Sequence, residues 1–154
     1  MRIPTELIGE VADRLAIRGL VDAWAHCADR RKPGEQASLF VPDGTVVVYK
    51  GDPATTEPVQ HLQGQAELAE AFTALETYDV TTHFNGQSVI ALDGERATAE
   101  SYCLAHQVRV EDRQPTLTVK AIRYLDTFVR HDGQWLFAER RIVTDWADKR
   151  QTAQ

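Results

Sequence analysis

Apolar residues recur with the spacing of an α-helix through the N-terminal part of the chain. The positions on this face are Leu7, Val11, Leu15, Ile17, Leu20, Val21, Trp24 and Ala28. Charged residues occupy the other faces, so the pattern predicts an amphipathic first helix. We expect Thr5 to be its N-cap residue and Asp29 to lie at its end, because a polar segment with proline and glycine follows.

Shorter elements are predicted between this helix and residue 80. A second helix is predicted at Glu35–Phe40, followed by a turn at Pro42–Gly44 and a β-branched strand at Thr45–Lys50. Residues 51–58 contain two prolines and are predicted to form a surface loop. Helical spacing returns over Gln65–Tyr78 and predicts a third helix.

In the second half of the chain, apolar and polar residues alternate as in β-strands, and turn residues separate the alternating runs. This pattern predicts long strands joined by hairpins. The predicted strands are Thr82–Leu92, Arg96–Val110, Thr116–Arg130 and Gln134–Thr144. Residues 148–154 are expected to be frayed. Helices followed by an antiparallel meander predict an α+β fold, in which N-terminal helices pack on a strongly curved, mostly antiparallel sheet. Such a sheet can close as a cone-shaped barrel around a deep, mostly apolar cavity.

Composition limits the classes of function. A length of 154 residues suits a single domain spanning residues 1–154, and 43% hydrophobic with 26% charged residues is ordinary for a globular protein. No apolar run is long enough for a membrane span, and the N-terminus lacks the pattern of a signal peptide. We therefore expect a cytoplasmic protein.

The charge and the cysteines narrow the classes further. The formal charge is −6 and the basic residues are scattered, which argues against a nucleic-acid partner. Cys27 and Cys103 form no CxxC pair, so they predict buried thiols rather than a disulfide or a zinc site. The expected partner is a small-molecule substrate.

His83 is the first candidate for chemistry, since it lies near the start of a predicted strand that would face the cavity. An imidazole can take or give a proton near neutral pH. Asp29 could accept a hydrogen bond from the second ring nitrogen and so fix the tautomer, or it could simply open the turn after the helix. His106, on the next strand, could bring a second imidazole. His83, His106 and Asp29 could also form a metal site, although no local ligand motif supports one.

Other residues could bind the substrate. Tyr49 and Tyr124 could hold a substrate oxygen with their phenols, and Trp24 could form an apolar wall. Only one of Arg140 and Arg141 can face inward; the row shared with Leu136, Ala138 and Ile142 favours Arg140, but the row of Trp135, Phe137 and Arg141 is equally hydrophobic. A buried arginine would seek a carboxylate such as Asp29, or an anionic substrate.

The sequence has no GxSxG elbow, no glycine-rich phosphate loop and no dinucleotide fingerprint. Hydride and phosphoryl transfer are therefore not expected. The remaining residues point to proton-transfer chemistry with no cofactor.

Five segments carry a resemblance to a known family. They are Ala25–Asp29, Phe40–Gly44, Thr82–Phe84, His106–Val110 and Asp132–Phe137. Together with the order of elements, they resemble the SnoaL-like branch of the nuclear transport factor 2-like fold, which includes scytalone dehydratase and hexachlorocyclohexane dehydrochlorinase. The resemblance spans nearly the whole chain.

The resemblance implies roles for individual residues. His83 and Asp29 match a catalytic dyad that abstracts a proton while a leaving group departs. His106 would be a donor to the leaving hydroxyl or the substrate carbonyl, Tyr49 an oxygen-binding residue, and Arg140 an active-site arginine. The fold also implies a homo-oligomer, dimer or trimer, with the row of Trp135 and Phe137 or its neighbours in the contact.

The sequence also departs from these lyases. Ala28 stands where the dehydratase has a tyrosine, and Ile122 and Tyr124 stand where it has polar side chains. No lysine near Trp24 matches the one in the dehydrochlorinase. We expect a dehydratase-type lyase for an apolar, aromatic, polyketide-like or steroid-like substrate, with an isomerase or cyclase, or a non-catalytic binding domain, as alternatives.

Overall fold

The computed structural model describes residues 4–152. Its helices are α1 (Thr5–Asp29), α2 (Pro33–Ala37) and α3 (Gln65–Phe72), the last followed by a 3₁₀ turn at Thr73–Thr77. Its strands are β1 (Phe40–Tyr49), β2 (Gln60–Gln63), β3 (Val80–Asp93), β4 (Arg96–Glu111), β5 (Gln114–His131) and β6 (Gln134–Gln151). All six strands belong to one sheet.

The strands are ordered β2-β1-β6-β5-β4-β3, and every pair is antiparallel except β1 with β6. The predicted α+β class, with helices on a mostly antiparallel sheet, is confirmed. Closure into a barrel is not observed, because β2 and β3 are the two edges of an open sheet. The helices cover the inner face instead.

The core lies between α1 and this inner face. Trp24 packs edge-on against Phe40 and Phe72, and Phe137 stacks on Phe40 with ring centroids 4.9 Å apart. The first turns of α1 extend beyond the core: Leu7, Val11 and other large apolar residues there are exposed, and burial begins at Ile17. Burial of aromatic side chains at this end of the sheet fixes α1 against the strands.

Two irregularities in β6 decide which side chains face inward. Phe128 of β5 pairs with Phe137 while Thr127 pairs with Glu139, so Ala138 is an extra residue in β6. A second register shift, between Ala121 and Ile122 of β5, makes Asp145 another extra residue in β6. A bulge of this kind reverses the alternation of faces after it. Trp135 and Phe137 therefore face inward before the first bulge, and Arg140 faces inward after it.

Several helices begin or end at residues other than those predicted. Thr5 is the first residue of α1, and the N-cap is Pro4, which makes no side-chain capping bond. The second helix begins at Pro33 and ends before Phe40, because Phe40 already pairs with Phe137 in the sheet. The third helix ends earlier, in the 3₁₀ turn. Strand β2 was not predicted.

Two further expectations are corrected. Strand β6 continues to Gln151, paired with β5, where fraying was expected from residue 148; residues 153–154 lie outside the described residues. Trp135 and Phe137 are buried in the core, so they are not available for a contact between subunits. Homo-oligomerisation itself stays a prediction.

Across residues 4–152, no helix combines the length and the apolar character that a membrane crossing needs. Cys27 and Cys103 are buried free thiols, as predicted. Burial raises the pKa of both thiols.

Candidate active site

A cavity of about 290 Å³ lies between the helices and the inner face of the sheet. Its walls are mainly apolar and aromatic, with Trp24, Phe72, Ile122 and Tyr124 among them. A few polar side chains also line it: Gln36, Gln60, His83, Gln107, Lys120 and Thr144. An apolar cavity with a few polar groups is the usual form of a small-molecule site.

The strand register places these polar groups in adjacent rows. His83 of β3 pairs with Ala105 of β4, which pairs with Lys120 of β5. Gln107 lies one row away, between Thr81 and Thr118. Since side chains of paired residues point to the same face, both rows face the cavity side of the sheet.

His83 and Asp29 are in direct contact. The ring atom Nδ1 of His83 lies 2.7 Å from Oδ1 of Asp29, and the backbone N–H of His83 donates to Oδ2 at 2.9 Å. The His83 side chain is 7% exposed and that of Asp29 25%. Within residues 4–152, no hydrogen bond reaches Nε2, the other ring nitrogen of His83. The carboxylate thus occupies one side of a ring that lines the cavity.

Asp29 is itself held in place. The hydroxyl of Thr81 donates to Oδ1 of Asp29 at 3.0 Å and accepts a 2.6 Å hydrogen bond from Nη1 of Arg31. Arg31 has a left-handed backbone (φ 55°) directly after α1, and its Nη1 also donates to the carbonyl oxygen of Ala28. This guanidinium satisfies a carbonyl at the end of the helix and orients the hydroxyl that supports Asp29.

Trp24 and Tyr124, both predicted for the site, line the cavity. Tyr124 is nearly fully buried, and burial raises the pKa of its phenol. The phenol therefore stays protonated and can act as a hydrogen-bond donor at any ordinary pH.

Arg140 faces inward, but a carboxylate already binds it. Its Nε and Nη2 atoms donate to the two oxygens of Asp126, each at 2.8 Å, and both side chains are fully buried. The guanidinium lies 3.8 Å from the ring centroid of Tyr124 and 4.8 Å from that of Trp24. Burial raises the pKa of Asp126, and the charge of Arg140 opposes that rise. Arg140 supports two cavity rings from behind and is not itself part of the cavity wall, which corrects the prediction.

His106 and Tyr49 do not face the cavity. His106 alternates with Ala105 and Gln107, which point inward, and its Nδ1 lies 3.3 Å from the carbonyl oxygen of Thr82. Tyr49 follows Val48, a cavity residue, and therefore points to the other face. Within residues 4–152, no three His, Cys, Asp or Glu residues are arranged to hold a metal ion. The alternative in which His83, His106 and Asp29 bind a metal is not met in this arrangement, because His106 lies on the far face of the sheet.

The family model of the SnoaL-like domain matches residues 9–141. The chain belongs to this family. The SnoaL-like family lies within the nuclear transport factor 2-like superfamily, whose helix and sheet arrangement the chain shares. Among curated proteins, an uncharacterized protein of Mycobacterium tuberculosis strain H37Rv is 24% identical over 135 residues, 86% of each chain.

Solved structures share the SnoaL-like fold over most of their length. A scytalone dehydratase-like protein of Novosphingobium aromaticivorans superposes with a TM-score of 0.76 at 23% identity, covering 94% of this chain and 91% of that one. A type 2 hexachlorocyclohexane dehydrochlorinase (LinA) gives 0.77 at 19% identity, with 95% and 93% covered. At these identities the likeness establishes the fold alone.

Sequence reasoning missed three residues of this SnoaL-like site: Arg31, Gln107 and Lys120. Arg31 lay in a segment interpreted only as a polar loop. The inward assignment of His106 excludes Gln107, its neighbour on β4, whereas Lys120 is absent from the predicted site although it shares its face of β5 with the predicted Tyr124. The signal was the alternation on β4: Cys103 and Ala105 are apolar and share a face with Gln107, so Gln107, and not His106, is expected in the cavity.

Proposed function

We propose that this SnoaL-like domain is a cofactor-independent lyase that removes water from an apolar or aromatic substrate. The observation that supports it is the 2.7 Å contact between His83 Nδ1 and Asp29 Oδ1 at the wall of the cavity. A carboxylate on Nδ1 keeps the neutral ring protonated there, which leaves Nε2 with a lone pair for proton abstraction.

In the proposed reaction, Nε2 of His83 takes a proton from the carbon next to a carbonyl group. The C–H electrons form a double bond to the neighbouring carbon, whose bond to a hydroxyl group breaks. The departing oxygen then receives the proton from His83, so that the products are an unsaturated carbonyl compound and water. Asp29 stabilises the imidazolium between the two proton transfers. Tyr49 and His106 face away from the cavity, so the proposal gives the return of the proton to His83 itself.

The cavity supports the substrate class. Rings of Trp24, Phe72 and Tyr124 in its wall favour an apolar or aromatic molecule, such as a polyketide-like or steroid-like compound. Structural neighbours named for the removal of water and of hydrogen chloride add support for elimination. Ile122 in the wall, where the dehydratase has a polar side chain, supports a substrate that differs from scytalone.

The test is incubation with a panel of aromatic β-hydroxy ketones in deuterated water. Water loss is followed by absorbance of the conjugated product, and proton abstraction by deuterium at the α-carbon. We expect His83→Ala to lower both rates by roughly 10²- to 10⁴-fold. The exposed His61 is the matched control, and His61→Ala should retain both rates.

Other results would change the assignment. Deuterium incorporation without water loss would favour an isomerase or cyclase that uses the same base. Ligand binding with neither reaction, unchanged by His83→Ala, would favour a non-catalytic binding domain.

A further inference from the structure

Lys120 is a cation in the cavity wall that has no partner among the described residues. It is the one Lys or Arg among the described residues that line the cavity, and no Asp or Glu is among them. Within residues 4–152, no hydrogen bond or ion pair reaches its ammonium group. Half-burial of a charge without a counterion is unfavourable, and a bound anion would offset that cost.

Gln107 is the second unsatisfied group. It is 7% exposed, lines the cavity, and its Oε1 atom is buried without a hydrogen-bond partner among the described residues. If the amide rotates by half a turn, its NH₂ group takes the position of Oε1, so Gln107 can offer either an acceptor or a donor there. Buried amides are normally hydrogen-bonded, so this group is ready to bind a polar atom of a ligand.

The register brings the two groups together and sets them apart from His83. Gln107 pairs with Thr118, two residues from Lys120, so Gln107 and Lys120 are diagonal neighbours with Cα atoms about 7 Å apart. His83 and Lys120 flank Ala105 in one row, with Cα atoms about 10 Å apart. The small alanine between them leaves space for a ligand to reach both sides.

We propose that the cavity takes substrates that bear a carboxylate, and that Lys120 and Gln107 bind it. Lys120 supplies the charge and Gln107 a second hydrogen bond, while the apolar part of the substrate extends past Ala105 toward His83. This inference rests on the proposed function only in taking the cavity as the substrate site. It adds a carboxylate to the substrate class.

The experiment compares the binding of two probes that differ only in charge, 2-naphthoate and 2-naphthamide, by isothermal titration calorimetry; benzoate and benzamide form a smaller pair. We expect the wild type to bind an acid at least tenfold tighter than its amide, which is the usual worth of a hydrogen-bonded charge. Lys120→Met should abolish this preference by weakening the acid at least tenfold, with a much smaller effect on the amide. Retained binding of the amide also reports an intact cavity.

Three further variants make the result specific. Lys120→Arg should keep the preference, and so should Lys50→Met, which removes the same charge from an exposed position. His83→Ala should also keep it, because Lys120 and Gln107 remain. If the protein prefers acids but catalyses no proton transfer, this inference stands and the proposed lyase activity is rejected. If it catalyses proton transfer but shows no preference for acids, the lyase activity stands and this inference is rejected.

Two outcomes would overturn the inference. One is a Lys120→Met variant that still prefers the acids. The other is a wild type that binds acids and amides equally, or that binds neither acid at millimolar concentration.

Discussion

Asp29 holds His83 at two points, the ring and the backbone. Oδ1 lies 2.7 Å from Nδ1, and Oδ2 accepts the backbone N–H at 2.9 Å. The end of α1 is thereby tied to β3, an edge strand of the sheet, at the position where the ring enters the cavity. One carboxylate therefore sets both the position of the strand and the orientation of the imidazole.

The tautomer of His83 should depend on Asp29. In the wild type the neutral ring should carry its proton on Nδ1, because Oδ1 accepts a hydrogen bond there. An asparagine side chain offers both a donor and an acceptor, so Asp29→Asn should give a mixture of tautomers and lower any turnover at least about tenfold. Ring ¹⁵N chemical shifts measure the tautomer directly, with His61 as the internal control. An unchanged His83 spectrum in Asp29→Asn would contradict the role given to this carboxylate.

The buried pair Arg140–Asp126 should be sensitive to the loss of one partner. Asp126→Ala leaves an uncompensated buried guanidinium and should lower the free energy of unfolding by about 3–5 kcal/mol. The double variant Asp126→Leu/Arg140→Met should be more stable than that single variant, since both charges are gone. Urea denaturation measures each difference.

The control for this pair is an exposed one. Glu10→Ala breaks the ion pair with Arg14 on the surface of α1 and should change the free energy of unfolding by less than about 1 kcal/mol. Equal losses for Glu10→Ala and Asp126→Ala would show that burial does not decide the contribution of these pairs.

The identity and order of the main elements could be predicted because their apolar residues recur with the clear spacing of a helix or a strand. Strand alternation with hairpin turns predicts β3 to β6, and helical spacing predicts α1 up to Asp29. Strand β2 has four residues, of which Leu62 alone is buried, so it leaves no period to detect. The position of Asp29 and His83 could be predicted because both lie at the ends of strongly periodic elements.

The direction of individual side chains in β6 could not be predicted. Two rows competed for the inner face, one with Arg140 and one with Phe137, and both residues face inward because Ala138 is an extra residue between them. Nothing in the local composition marks which residue of a strand will bulge. The misplacement of His106 has a different origin, because the buried residues Cys103 and Ala105 alternate with it and mark the inner face of β4 without any bulge.

Asp13 should make stability depend on pH. Its Oδ1 accepts hydrogen bonds from Trp135 Nε1 and Arg130 Nη2, both at 2.9 Å, and the bond from Trp135, followed by Arg130, lowers the pKa of this carboxyl. A lowered folded-state pKa gives stability above the ordinary value of 3.8 that is lost as the pH falls through the folded-state pKa.

Asp13→Asn removes the charge with little change in shape. We expect it to lower the free energy of unfolding by about 1 kcal/mol at pH 7, and the difference from wild type should shrink as the pH falls below the ordinary value. Urea denaturation at a series of pH values measures this. A difference that stays constant down to the acid limit would mean that the charge of Asp13 does not stabilise the fold.

Two glycines should respond to alanine in opposite directions. Gly44 lies in the irregular part of β1 between Phe40 and Thr45, where an added Cβ would lie 2.8 Å from Cβ of Phe40 and 3.0 Å from the carbonyl oxygen of Val41. Gly19 lies within α1, and an added Cβ there meets nothing within 4 Å. Gly44→Ala should therefore lower the free energy of unfolding by about 1–3 kcal/mol, because Phe40 is packed on Phe137 and cannot move freely.

Gly19→Ala should instead raise it by about 0.5–1 kcal/mol, since alanine loses less backbone entropy in a helix. Thermal unfolding of both variants alongside the wild type gives the two signs in one experiment. If Gly44→Ala is neutral while Gly19→Ala stabilises as expected, the irregular segment of β1 must yield to the added methyl group. The stack of Phe40 on Phe137 would then be less rigid than its geometry implies.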